Sequence, residues 1–511
     1  MRTSGILMHL TSLPSPHGVG TMGAAAREFV DFLQAAGQTW WQILPVCPTS
    51  FGDSPYQTFS TFAGNPYLID LDDLRAEGLL EKEEYAPLDW GADPLRVDYG
   101  RLYQMRYPVL RRACKRLLAA PGPEYAAFCQ KNAFWLEDYA FFMALKEAHG
   151  GAPWQDWEPA QRNRDPETLE RVRRGLGADI DFWKAVQFLF FRQWRALKDY
   201  ANARGVGVIG DLPIYVSGDS VDVWAHPEQF QLDGNRLPTE VAGCPPDGFS
   251  ADGQLWGNPL FDWDFMERDG YSWWKRRIAY QCAIYDVLRI DHFRGFDSYY
   301  AIPYGARDAR AGRWRQGPGM KLFRAVEAAV GPKHIIAEDL GFLTPSVHAL
   351  REDSGYPGMK VLEFAFDNRD GSGSVYLPHN FPRNCVAYIG THDNDTALGW
   401  LDTAPPEDAA YAAEYLRLSE AEGLHWGMMR ALWASVADTA IVQMQDLLGL
   451  GTDARMNVPS TVGSNWQWRA APGFTTPALA SRLRREMELY CRLPAEVDKP
   501  SPVGEGGRAK P

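Results

Sequence analysis

The chain has 511 residues, with 52 Lys plus Arg against 65 Asp plus Glu and a formal net charge of −13 at neutral pH. That balance excludes nucleic acid as a partner, because polyanions are held by cationic patches and no basic run is present. No apolar run is long enough to span a bilayer, and the opening MRTSGILMHLTS lacks the apolar stretch and cleavage site of a secretory leader.

Residues 4–12 read as a first strand, followed by a helix carrying Phe29, Phe32, Leu33 and Ala36 on one face and stopped at Gly37. A second strand spans 39–46, so the chain opens β-α-β with parallel pairing. The next strand of this character comes only at 205–215. Residues 51–204 are therefore an insertion, opened by the Gly/Pro/Ser-rich loop 51–66 and then mostly helical. In it, Asp165 is placed to cap a helix with Pro166 at its first position. A second insertion, 216–284, holds the loop 241–259, whose Phe249 and Trp256 among glycines and prolines predict a mobile lid.

From there the pattern is regular. Strand four ends in LRIDHFRGF at 288–296, helix 319–331 follows, strand five is 333–340, and Thr344 and Pro345 open a helix that Gly355 ends. Strands six, seven and eight are placed at 359–366, 384–395 and 438–450, with a last helix from Pro477. Eight parallel strands alternating with helices predict a (β/α)8 barrel with large insertions after strands 2 and 3. One catalytic unit is expected over 1–496, with 497–511 as a disordered tail.

Strand mouths carry the polar residues: Asp211 on strand three, Asp291 on four, Glu338 on five, Asp367 after six, and His392 with Asp393 on seven. In a closed barrel these meet at one rim, where crowded carboxylates drive their pKa values apart. Asp291, between Arg289, His292 and Arg294, is expected to be depressed and anionic; Glu338, behind the apolar HIIA, is expected to hold a proton. Asp211 can also serve only to orient Arg289. Two chemistries use such a rim: metal-assisted hydrolysis, and glycosyl transfer by paired carboxylates about 5 Å apart. Histidine pairs for a metal are lacking, and 19 Trp, 22 Tyr and 25 Phe suit sugar stacking, although an aromatic-rich core would use them equally well.

The motifs SPYQ at 54–57, GQLWGNP at 253–259, RIDHFRGF at 289–296, AEDLG at 337–341, GTHDND at 390–395 and ARMNVP at 454–459 together resemble the amylomaltases, the 4-α-glucanotransferases of glycoside hydrolase family 77. The resemblance runs from about Ser4 to Arg469. It implies Asp291 as nucleophile, Glu338 as acid/base and Asp393 as a third carboxylate gripping sugar hydroxyls. It implies substrate contacts for Ser54, Tyr56, Asp211, Trp256, Arg289, His292, Asp367, His392 and Asn457, with α-1,4-glucans and maltooligosaccharides as partners and a retaining 4-α-glucanotransferase reaction. No cofactor, metal, membrane or obligate protein partner is expected. Two positions depart from the family pattern: Gly248 in PPDGFS, where an aromatic residue is common, and Ser460 in PST. Seven cysteines without zinc spacing or a disulfide framework place the protein in the cytoplasm. A plain glucan hydrolase and a non-catalytic glycan-binding barrel are the competing classes, the latter disfavoured because all three carboxylates are present.

Overall fold

The structure is a computed structural model that describes residues 2–50, 52–246, 251–341, 343–367, 371 and 373–494. The expectations for Gly248, Phe249 and the tail 497–511 lie outside the described residues.

Eight strands form one parallel sheet: β1 (Thr3–Leu7), β2 (Trp40–Gln42), β3 (Gly207–Leu212), β4 (Val287–Ile290), β5 (Ile335–Ala337), β6 (Gly358–Val361), β7 (Cys385–Tyr388) and β8 (Thr439–Gln443). Their spatial order is β6-β7-β8-β1-β2-β3-β4-β5. At the remaining seam, the Ala337 N–H donates to the Pro357 carbonyl at 2.9 Å and the Met359 N–H to the Asp339 carboxylate at 2.7 Å. The sheet is therefore wrapped round on itself, as the eight-strand barrel expectation requires. Gly210 of β3 is needed where it stands, because a Cβ there would lie 2.2 Å from the Tyr285 ring.

Every strand is shorter than its apolar run suggested. After β1 the chain coils into a 3-10 turn at Leu10–Ser12, after β6 into Leu362–Phe366, and after β8 into the helical turn Met444–Leu447. These turns are as buried as the strands, so the apolar pattern ran on although the ladder had ended. Helix signals were more local and held. Asp165 accepts from the Thr168 N–H at 2.9 Å with Pro166 at the first helical position, and Thr344 caps Pro345–Ser354, which ends at Gly355 with φ 70°.

Between β2 and β3 the long helices Tyr99–Ala119, Pro123–Ala148 and Gly177–Asn202 pack together. The segment 241–259 is not all loop. Glu240–Cys244 and Gln254–Pro259 are antiparallel strands, joined in a four-stranded sheet by Ser298–Pro303 and Arg313–Gln316 from beyond β4. The rim thus carries a small sheet drawn from the connections after both β3 and β4. Fourteen of the 19 Trp are buried in the core, so the aromatic surplus is mainly packing.

Candidate active site

At the C-terminal mouth of the barrel, β3 and β4 run in register with Asp211 opposite Arg289. Arg289 Nη1 donates to both Asp211 oxygens, at 2.8 and 2.6 Å, and to Asp291 Oδ1 at 3.0 Å. The Tyr56 hydroxyl donates to Asp211 Oδ2 at 2.9 Å. One guanidinium therefore fixes two carboxylates, and burial, which opposes its charge, is outweighed by Asp211 and Asp291, which hold the Arg289 pKa well above its ordinary value. The orienting role open to Asp211 is the one seen here.

Beyond Asp291 the chain makes a tight turn in which His292 has φ 51°, a left-handed conformation that costs about 1 kcal/mol or more for a residue with a side chain. The turn is held by Glu338. The His292 N–H donates to Glu338 Oε2 at 2.7 Å, the Leu340 N–H to Oε1 at 2.8 Å, and the Phe293 N–H to the Glu338 carbonyl at 3.0 Å. The two carboxylates on adjacent strands are thereby tied through one backbone turn.

The electrostatics correct the reading of Asp291. Arg294 turns away, its guanidinium 3.9 Å from the Trp314 ring centre and donating to Ser298 Oγ at 3.1 Å, while burial pushes His292 down to about 3, so it is uncharged. Among the described residues, only Arg289 pairs with Asp291. Burial pushes the Asp291 carboxyl well up, Arg289 opposes it, and Glu338, Asp211 and Asp393 push the same way as burial. Burial also raises Glu338, against Arg289 and the two N–H donors. Both acids are thus held above the usual carboxylate range, chiefly by burial.

Asp393 faces them from the turn after β7. The Thr391 N–H donates to Asn394 Oδ1 at 2.9 Å and the Asp393 N–H to Thr391 Oγ1 at 3.3 Å, which lifts the Asp393 side chain to 43% exposure. Asn457 Nδ2 donates to Asp393 Oδ1 at 2.6 Å, His392 Nε2 lies 3.4 Å from Oδ2, and Arg455 holds the Asp393 carbonyl at 2.6 Å. Asn457 thus reaches the carboxylate itself, while Arg455 ties the loop. Tyr56 stacks on His392 with ring centres 5.1 Å apart and planes 13° off parallel. Ser54 Oγ accepts from the Tyr56 N–H at 3.2 Å and shapes the turn that presents it. Asp367 ends the 3-10 turn after β6 and is half-buried.

Two walls complete the mouth. Trp256, on the strand Gln254–Pro259, meets His292 edge-on at 4.8 Å, and Trp466 lies 5.8 Å from Tyr56 and 6.0 Å from His392. Trp466 was not anticipated, because it comes from a loop after β8 whose approach leaves no local pattern. On the glucan substrates that the family resemblance implies, Trp256→Ala should lower kcat/KM for long chains by about tenfold, the loss of one stacked ring, and leave short substrates less affected. Parallel kinetics on maltotriose and amylose check this, and equal effects on both would make Trp256 a packing residue.

Behind β7 sits a second acid group, Glu363, Asp395 and Asp446, buried beside the Asp393 turn. Burial pushes Asp446 up to about 7, and burial with Asp446 and Asp395 pushes Glu363 well up. The raised Asp446 binds its proton more tightly folded than unfolded, so its contribution is full below the ordinary aspartate value of 3.8 and is lost as pH rises towards about 7. Asp446→Asn keeps an acceptor for the Ala397 N–H, which is 2.7 Å from Asp446 Oδ1. The variant should gain up to ~2–4 kcal/mol over the parent at alkaline pH and lose that advantage in mild acid. Thermal unfolding across pH measures it, and a pH-independent difference would count against the protonated Asp446.

Among the described residues, no group of three or more His, Cys, Asp or Glu side chains has the arrangement to hold a metal ion, and no helix is long and apolar enough to cross a membrane. Residues 8–475 match the family model described as 4-alpha-glucanotransferase, Glyco_hydro_77. The chain is 48% identical over 503 residues to the 4-alpha-glucanotransferase of Thermus thermophilus, covering 96% of this chain and 99% of the relative. It is 47% identical over 487 residues to that of Clostridium butyricum, covering 95% and 100%. The solved amylomaltase of Streptococcus agalactiae in complex with acarbose superposes with a TM-score of 0.94 at 44% identity, covering 97% of this chain and 100% of that one.

Proposed function

The chain belongs to the 4-alpha-glucanotransferase family, glycoside hydrolase family 77, and from that premise we propose the reaction and the residues that carry it. The enzyme moves α-1,4-glucan segments from a donor to the 4-hydroxyl of an acceptor glucan or glucose, with retention. The observation that carries this reading is the pair Asp291 and Glu338 on adjacent strands, tied through the His292 turn and both raised by burial.

With the scissile bond between them, Glu338 gives its proton to the glycosidic oxygen as an Asp291 oxygen attacks the anomeric carbon. The bond to the leaving sugar breaks and a glycosyl ester forms on Asp291. Glu338, now ionised, takes the proton of an incoming 4-hydroxyl, which displaces Asp291 and restores the α-linkage. Arg289 favours the Asp291 carboxylate at the start and the end of the cycle. Asp393, exposed yet oriented by Asn457 and His392, grips the sugar hydroxyls nearest the reacting centre. Tyr56, Trp256, His292, His392, Ser54 and Asp367 line or support the sugar site. We take 1–496 as one catalytic unit, because one hydrophobic core runs from Ile6 to Met487. The seven cysteines, none of them in a disulfide, favour a reducing, cytoplasmic setting.

Water at about 55 M competes for the ester, and oriented binding of an acceptor, worth an effective molarity of ~10⁵ M or more, outweighs it. Maltotriose alone should therefore give glucose and a ladder of longer maltooligosaccharides at nearly constant total reducing ends. Reducing ends rising in step with glucose, with no longer product, would establish a hydrolase instead.

A further inference from the structure

Beneath the site lies a small cavity of about 10 Å³, lined among others by His9, His392, Ser12, Gln443, Gln445 and Met456. That is room for one water molecule. Both rings are almost wholly buried, His9 at 7% and His392 at 2% exposure, and each keeps a buried Nδ1 without a protein partner. The amide donors of the two glutamines are committed elsewhere, Gln443 to the Asp395 carbonyl at 3.3 Å and Gln445 to the Ala454 carbonyl at 3.2 Å. The other side of the His392 ring is fixed as well, since its Nε2 faces Asp393 Oδ2 at 3.4 Å.

A neutral imidazole carries one proton, and its place decides what the ring can do. Burial lowers the pKa of both rings, that of His9 to about 3, so both are neutral. With the proton on Nε2, His392 donates towards Asp393. With the proton on Nδ1, a bare lone pair would face the carboxylate and push it out of line.

We infer that His9 is a positioning residue for His392: one water in the cavity accepts from His9 Nδ1–H and donates to His392 Nδ1, which keeps the His392 proton on Nε2 and Asp393 in place. The link from this tautomer to turnover rests on the transferase reading. The tautomer itself does not, so the two can fail separately.

The test uses the full-length enzyme labelled with ¹⁵N-histidine, the His392 signal being assigned by its loss in His392→Gln. At neutral pH the wild-type spectrum should show a protonated Nε2 and a bare Nδ1 on His392. A proton on Nδ1, or an even mixture, overturns the inference whether or not any His9 variant folds. In maltotriose disproportionation, His9→Phe should lower kcat by about tenfold with little change in KM, the worth of one hydrogen bond to a charged-group network. His9→Asn, whose amide N–H takes the place of Nδ1–H, should recover most of the loss. A folded His9→Phe with unchanged kcat, or an Asn variant as poor as Phe, also overturns it.

Discussion

Asp291→Asn is expected to lower kcat for maltotriose disproportionation by ~10⁴-fold or more while leaving glucan binding measurable, since the change removes the attacking charge and almost no volume. The folded state should not suffer. Asp291 is raised by burial and by Glu338, Asp211 and Asp393, so a neutral amide relieves repulsion that Arg289 only partly offsets. The expected signature is therefore an inactive protein whose unfolding midpoint is equal to or above the parent's, with retained affinity for maltooligosaccharide in calorimetry. A loss of only a few-fold in kcat would remove Asp291 from the nucleophile's role. A large loss accompanied by a fall in stability would instead make Asp291 a structural partner of Arg289.

Arg289→Leu is expected to do both kinds of damage. Arg289 and Asp211 form a buried ion pair, with side-chain exposures of 3% and 0%, and Arg289 Nη1 also holds Asp291. Removing one member of such a pair leaves an uncompensated buried charge, which costs ~3–5 kcal/mol. Among the described residues the Tyr56 hydroxyl would then be the donor left to Asp211, far short of replacing a guanidinium. Denaturant unfolding at neutral pH gives the stability change directly, and the maltotriose assay should show no turnover in the surviving folded protein. Arg289→Lys should recover only part of this, because Nη1 alone meets both carboxylates and the shorter lysine stem sets its ammonium back from that point. A stability loss under about 1 kcal/mol would mean that the pair is solvated rather than buried.

Where the outcome was legible in the residue order, the governing contacts were short. Asp165 to Thr168 and Thr344 to Val347 are caps across three positions, so composition within one turn specifies them. The eight strands were found in the right order because each fully buried parallel strand is a compact apolar run, and the carboxylates at their mouths follow from strand direction alone. Strand length was another matter. Leu362–Phe366 and Met444–Leu447 are buried turns, and burial writes the same apolar letters whether or not a neighbouring strand is there to pair.

By itself, then, the sequence determined the barrel and the family, and set Asp291, Glu338 and Asp393 at strand mouths, through periodicity and motifs that each span a few residues. The tertiary structure alone decided how those carboxylates are held. The Asn457 grip on Asp393 spans 64 positions, that of Arg289 on Asp211 spans 78, and Tyr56 reaches Asp211 across 155. At the two ends of 241–259, a stretch glycine-rich in order, strands form because Val241 finds Ile302 and Pro259 beside it. The rise of Asp291 and Glu338 was likewise a matter of depth. Neighbouring cations in the chain suggested a depressed Asp291, but Arg294 folds away onto Trp314, and desolvation, which no residue order records, outweighs the one cation that stays.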